Sequence, residues 1–201
     1  MIEAGKVVAI LLAAGRSVRF GGNDKLLALF DGRPLILHAA ERIGELNTAQ
    51  KIAVCGSAEV GDILRPMGFR IIVNPDPEQG LSSSLALGIA AAGQGDAALV
   101  ALADMPLVSP GHFGALLARF DADNAPVVAS RSGDTPMPPA VFAGSLFDRL
   151  KSGRGDQGAR ALLSGADYVT APADELADID TYDDLRRITP SRAAGPDVCR
   201  A

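Results

Sequence analysis

Gly15, Arg16, Arg19, Gly21, Gly22 and Lys25 fall within one stretch of eleven residues. Glycines let the backbone come close to a ligand and turn its N–H groups inward. Arginine and lysine supply the positive charge that a polyphosphate needs. The apolar run before them, Val7 to Ala13, is long enough for a buried strand and too short to span a membrane. A buried strand feeding a Gly-rich basic loop reads as a nucleotide-phosphate site. An ordinary strand-to-helix turn with solvated charges is the plainer alternative, and the pattern alone does not separate the two. Neither of the better-known phosphate loops is present. No Gly-Lys-Ser/Thr follows Gly15, and Gly15-Arg16-Ser17 breaks the dinucleotide fingerprint at its second glycine.

Three further groups of residues could do chemistry. Ser82, Ser83 and Ser84 open an apolar helical stretch, where serines cap a helix and where free N–H groups and a positive dipole end can meet an anion. Asp104 follows the wholly apolar run Ala97 to Leu102, the position at which a carboxylate can hold Mg²⁺. Capping belongs more naturally to Ser109, ahead of Pro110. Asp178, Asp180 and Thr181 precede a final helix that Asp180 or Thr181 could cap. His38 reads as a partly buried structural histidine, and His112 is expected to face solvent.

The elements that must position these groups alternate along the chain. Lys51 to Gly56 and Phe69 to Val73 read as strands, with a weak helix over Val60 to Met67 that Gly68 closes. Pro34 starts an amphipathic helix through Leu46. Later strands are expected over Pro126 to Ser130, Pro136 to Phe142 and Tyr168 to Ala171. Strands separated by helices indicate parallel βαβ units, hence an α/β three-layer sandwich with a mostly parallel, Rossmann-like sheet. Ala97 to Leu102 is the expected centre. In such sheets ligands sit beyond the carboxyl ends of the strands, which places the Ala14–Lys25 loop and the Asn74–Gly80 loop on one edge.

Composition narrows the function. Length suits a single domain, taken as residues 1–188, with the Pro-, Arg- and Ala-rich 189–201 expected to be a disordered tail. A net charge of −5 argues against a nucleic-acid binder, which would be expected to be basic. Cys55 and Cys199 are too few for a disulfide framework or a zinc site and fit a reducing compartment. With no basic n-region before Val7 and no membrane-length apolar run, a soluble cytoplasmic chain is expected.

Leu12-Ala13-Ala14-Gly15-Arg16-Ser17-Val18-Arg19-Phe20-Gly21, then Lys25, resembles the signature loop of the nucleotidyltransferases, with Phe20 where methionine is usual. Gln79-Gly80-Leu81-Ser82-Ser83-Ser84-Leu85, Asp104-Met105-Pro106, Gly155-Asp156-Gln157-Gly158-Ala159-Arg160 and Asp178-Ile179-Asp180-Thr181 resemble later motifs of the molybdenum cofactor (molybdopterin) cytidylyltransferases, in the same order. Tyr182 stands where proline is usual. This resemblance, to the MobA-like NTP transferase superfamily, implies a Mg²⁺-dependent transfer of CMP from CTP to molybdopterin with release of pyrophosphate. It implies that Arg19 and Lys25 hold the triphosphate and carry catalysis. Leu12, Ala13, Ala14 and Gly15 would meet the base, with Ser82 or Ser83 against the nucleotide. Asp104 and Asp180 would be the metal ligands, and Asp156 and Arg160 would touch the acceptor. Asp178 is expected to face elsewhere. A molybdoenzyme or its chaperone is a further implied partner. The longer Gly22-Asn23-Asp24-Lys25 spacing points instead to guanylyl relatives and GTP. A sugar- or polyol-phosphate nucleotidyltransferase and a catalytically silent cofactor chaperone are the remaining alternatives.

Overall fold

In the computed structural model residues 4–15, 20, 24–153 and 157–188 are described, the side chains of 4 and 157–160 excepted. The expected tail, 189–201, lies outside the described residues, Cys199 with it. The run that opens the chain is β1 (Val7–Ala13), buried at every position. A short hairpin follows, β2 (Leu29–Phe30) and β3 (Arg33–Pro34). It turns through Asp31 at φ 47° and Gly32 at φ 78°, the left-handed pair that a two-residue hairpin loop demands.

The remaining elements alternate as expected. They are α1 (Leu35–Gly44), β4 (Gln50–Cys55), α2 (Ala58–Leu64), β5 (Arg70–Val73), α3 (Leu81–Ala92), β6 (Ala97–Leu102) and α4 (Pro110–Arg119). Then come β7 (Val127–Ser132), β8 (Thr135–Ala143), α5 (Phe147–Ser152), α6 (Gln157–Ser164), β9 (Asp167–Thr170) and α7 (Tyr182–Ile188). Sequence reasoning did not foresee α5.

Seven strands form one sheet in the order β5-β4-β1-β6-β8-β7-β9, which puts β6 in the middle. Pairing is parallel except for β8, which runs antiparallel to both its neighbours. The antiparallel strand follows from the tight β7–β8 hairpin, since two residues can only reverse the chain. Successive side chains of β1 enter opposite layers. Val7, Ala9 and Leu11 pack with α1, α2 and α4, and Val8, Ile10 and Leu12 pack with α3, α5 and α6. Both faces of the sheet are therefore covered, which is why β1 and β6 read as unbroken apolar runs. Helix α3 lies directly on β1 because residue 88 is glycine. A Cβ there would stand 2.7 Å from the Ile10 Cγ2.

Candidate functional site

The carboxyl ends of β1, β4, β6 and β7 share one rim. At this rim the ladder between β1 and β6 continues one residue further, where the Ala103 N–H donates to the Leu12 carbonyl at 3.0 Å. That bond sets Asp104 beside the end of β1. The Ile179 N–H donates to the Asp104 carbonyl at 2.9 Å, and the Ile179 side chain is fully buried. This anchor brings the 178–180 segment to the same rim. Lys25 comes from a 3₁₀ turn, Lys25–Leu27, which Asp24 caps by accepting the Leu26 N–H at 3.0 Å. Leu26 plugs the turn into the core.

Three distant segments thus meet at one ammonium. Lys25 Nζ donates to Asp104 Oδ2 at 2.7 Å and to Asp180 Oδ1 at 2.8 Å, with Lys25 itself only 5 % exposed. Burial alone would lower the Lys25 pKa. The charges and hydrogen bonds of Asp104 and Asp180 outweigh it and hold the ammonium above its usual value. Lys25 therefore stays protonated across the physiological range.

Among the described residues a third carboxylate joins the cluster. Asp178 is close enough to sense both Asp104 and Asp180. Loss of water around its carboxyl, then those two charges, pushes it above the ordinary carboxylate range. The expectation that Asp178 faces elsewhere is corrected here, and the reason is the period of an extended chain. Residues two apart share a face. Ile179 is the one that turns into the core, leaving Asp178 and Asp180 together on the rim side.

Asp104 Oδ1 is buried and, among the described residues, has no hydrogen-bond partner. An orphaned carboxylate oxygen beside a second carboxylate is a hard donor set, of the kind Mg²⁺ or Mn²⁺ takes. Among the described residues no group of three or more metal-ligating side chains forms. Mg²⁺ commonly takes one or two carboxylates, with substrate phosphates and water completing its shell.

Other expected residues sit at the same rim with clear structural duties. Leu12, Ala13 and Ala14 are buried, and the Leu12 and Ala13 carbonyls accept from Ala103 and Gly56. Gly15 is the first exposed residue after β1. The serines do not cap α3. Its N-cap is Gly80, with no side-chain bond to the helix N–H groups. Instead Asn74, which is 2 % exposed, donates from Nδ2 to Ser83 Oγ and Ser84 Oγ, both at 2.9 Å. Its Oδ1 accepts the Asp76 N–H at 2.9 Å. Asn74 is therefore the residue that shapes this side of the rim, and the sequence reading passed over it as loop. Ser82 is partly exposed in the first turn of α3.

Arg19 and Asp156 lie outside the described residues, as does the side chain of Arg160, whose backbone is in α6. Thr181 caps α7 reciprocally with Asp184. Thr181 Oγ1 accepts the Asp184 N–H at 3.1 Å and the Asp184 carboxylate accepts the Thr181 N–H at 3.0 Å. Ser109 caps α4 as expected, accepting the His112 N–H at 3.1 Å. His112 is a correction, because it is buried rather than solvent-facing. Its Nε2 lies 2.8 Å from Ser130 Oγ, and that hydroxyl donates to the Pro139 carbonyl at 2.7 Å, so His112 is the donor to Ser130. The side chain pins the irregular pairing of β7 with β8, where register shifts between Ala129 and Ser130. His38 is structural as expected, with Nε2 2.8 Å from the Phe30 carbonyl. Burial pushes the Cys55 thiol at the end of β4 up to about 11.

Known proteins resemble this chain in sequence and fold. The model of the MobA-like NTP transferase domain matches residues 9–173. The chain is 30% identical to a probable molybdenum cofactor guanylyltransferase of Thermococcus kodakarensis, over 96% of this chain and 100% of that relative. It is 32% identical to the nicotine blue oxidoreductase of Paenarthrobacter nicotinovorans, over 90% of this chain and 96% of the relative. Among solved structures, a nucleotidyl transferase from Methanothermobacter superposes with a TM-score of 0.76 at 28% identity, over 91% of this chain and 95% of that one. Among the described residues no helix is long and apolar enough to cross a membrane.

Proposed function

The chain belongs to the MobA-like NTP transferase family and is a nucleotidyltransferase, and from that premise we propose that its acceptor is molybdopterin. The observation that carries the site reading is the buried Lys25 ammonium between Asp104 and Asp180, with Asp104 Oδ1 unpaired beside it. Such a cluster suits a phosphate-rich substrate and a divalent cation together.

In the proposed reaction a terminal phosphate oxygen of the acceptor attacks the α-phosphorus of the nucleotide in line. A new P–O bond forms, the bond between the α-phosphorus and its bridging oxygen breaks, and pyrophosphate leaves with the electron pair. The attacking phosphate is already largely a dianion near neutral pH, so no general base is needed. Catalysis is then positioning and charge stabilisation. Lys25, held protonated by its two carboxylates, faces the charge that grows on the α-phosphate oxygens. Backbone groups at Ala14 and Gly15 meet the nucleotide, and Asn74 holds the start of α3 in place behind it. Asp104 and Asp180 are the residues that would hold Mg²⁺, which when bound neutralises phosphate charge and orients the leaving pyrophosphate.

GTP is the proposed donor, on the strength of the Thermococcus relative that matches 96% of this chain and is named a probable molybdenum cofactor guanylyltransferase. The Gly22-Asn23-Asp24-Lys25 spacing agrees with it. CTP is the second reading, favoured by Leu12-Ala13-Ala14-Gly15 and Gly158-Ala159-Arg160. The test is pyrophosphate release with molybdopterin and each nucleotide in turn. Turnover with GTP above CTP is the expected result. Faster use of CTP would replace the guanylyl assignment with the cytidylyl one, and binding without pyrophosphate would leave a cofactor carrier.

A further inference from the structure

Arg131 stands at the carboxyl end of β7, on the far side of β6 and β8 from β1. Its backbone is fixed on both sides. It pairs with Pro136 of β8 and Thr170 of β9, and its carbonyl accepts the Ala171 N–H at 3.2 Å. The side chain is fixed as well. Its guanidinium lies over the Tyr168 ring, 4.9 Å from the centroid. The Tyr168 hydroxyl in turn lies 2.9 Å from the Leu163 carbonyl and 3.0 Å from the Ser164 carbonyl, at the end of α6.

What the guanidinium lacks, among the described residues, is an acceptor. Its Nε is buried with no hydrogen bond to any of them. Among the described residues no carboxylate pairs with it, and the acid of the adjoining strand, Asp167, is taken by Arg119 at 3.4 Å. Stacking on tyrosine satisfies the face of a guanidinium and leaves its in-plane donors unused. Arg131 is half-buried, and a donor withdrawn from water without an acceptor costs stability. Packing Arg131 against Tyr168 needs no charge, since an apolar side chain would fill that space. A pre-oriented guanidinium with no carboxylate partner among the described residues, on a strand that ends at the ligand rim, is built to receive an anion.

The layout says which one. On the reading above, the nucleotide phosphates belong at Lys25 and Asp104, and its base on the side of Gly15 and Asn74. Strand β7 lies on the other side of Asp104, beyond β8. An acceptor whose phosphate reaches the α-phosphorus must extend in that direction. We infer that Arg131 binds the acceptor substrate, receiving an anionic oxygen on its in-plane donors and so orienting it for attack. This inference rests on the proposed nucleotidyl transfer to a phosphorylated acceptor. Arg131 takes no part in bond making.

Steady-state kinetics with molybdopterin and the preferred nucleotide test it in wild type, Arg131→Ala and Arg131→Lys. The expected result for Arg131→Ala is an acceptor KM raised roughly tenfold to hundredfold, with the nucleotide KM unchanged. Arg131→Lys should recover only part of it, because the ammonium lacks the planar fork. An unchanged acceptor KM, or a rise in the nucleotide KM instead, overturns the assignment. A second arm does not depend on turnover. The chain has two tyrosines and no tryptophan, so Tyr182→Phe leaves Tyr168 as the sole reporter. Titrating that variant with inorganic phosphate should change Tyr168 emission saturably, and adding Arg131→Ala should abolish the change. No saturable response, or one that survives Arg131→Ala, also overturns the inference. If wild type does not use molybdopterin, the proposed function fails, and the phosphate arm alone decides Arg131.

Discussion

The rings of Phe20 and Tyr182 pack with centroids 4.3 Å apart and planes tilted by 42°. Phe20 is buried within the Gly-rich stretch, and Tyr182 opens α7 two residues after Asp180. The contact therefore ties Phe20 to the segment that carries Asp180, one of the two proposed metal ligands. Both residues stand where the resembled motifs have other side chains, methionine and proline. The two departures touch each other.

Tyr182→Ala should loosen both partners of that contact. An aromatic pair contributes about 0.5–1.5 kcal/mol beyond its area, so the Mg²⁺ concentration for half-maximal rate should rise roughly two- to tenfold. The nucleotide KM should rise with it, and Tyr182→Phe should keep both near wild type. Mg²⁺ and nucleotide titrations of the two variants check this. Unchanged values in Tyr182→Ala would make the pair incidental to the site.

Lys25→Ala removes an ammonium that Asp104 and Asp180 share. Turnover should fall on the order of 10²–10³, as for loss of one preorganised electrostatic partner. The acceptor KM should move little. The two carboxylates are left without their shared cation, so added Mg²⁺ should raise the melting temperature of Lys25→Ala more than that of wild type. Near-normal turnover would show that another cation does the work.

Asp104→Asn should disturb the metal more than Asp180→Asn, because Asp104 is the more enclosed and carries the orphaned Oδ1. Both should need more Mg²⁺ for half-maximal rate. Asp178→Asn should shift the requirement least, through charge alone. A Mg²⁺ titration of the three variants ranks them. The largest shift in Asp178→Asn would mean that the wrong member of the Asp178–Asp180 pair had been chosen.

His112 supplies a pH dependence unrelated to the reaction. Burial lowers its pKa below 6.5, against a smaller opposing effect of Glu175. The unfolded chain therefore takes up the proton at higher pH than the native one. The stability contribution is complete above pH 6.5 and is lost as pH falls through that value toward the lower folded one. Urea midpoints at about pH 7.5 and about pH 5.5 should differ for wild type by the effect of at most one proton. His112→Gln, which can still donate to Ser130, should lose that difference. An equal acid loss in both proteins would exclude His112 as its source.

Much of this protein was legible before folding because the signals are local. Ser109 ahead of Pro110, Gly68 after α2 and Asp31-Gly32 between two short strands each mark a boundary through their own backbone chemistry. The failures were also physical. Ser82 to Ser84 resemble a cap, yet Gly80 takes that place and the buried Asn74 takes the Ser83 and Ser84 hydroxyls. His112 sits early in a helix whose buried face could not be told from its exposed one until β7 and β8 were laid against it.

The sequence by itself determined the alternation of strands and helices, the buried centre of the sheet, and the rim on which the chemistry-bearing residues would gather. Those properties follow from apolar runs, periodicity and turn residues, which neighbours along the chain are enough to specify. Only the tertiary structure decided what meets there. Lys25 is 79 residues from Asp104 and 155 from Asp180 in the chain, and no local pattern encodes a 2.7 Å contact across such distances. Their meeting depends on β1 and β6 lying side by side and on the buried Ile179 pulling its segment onto the end of β6. The Asp104 oxygen and the Arg131 guanidinium, each without a partner among the described residues, belong to the same class. Whether a polar group lacks a partner is settled by everything packed around it, and that exists only once the chain has folded.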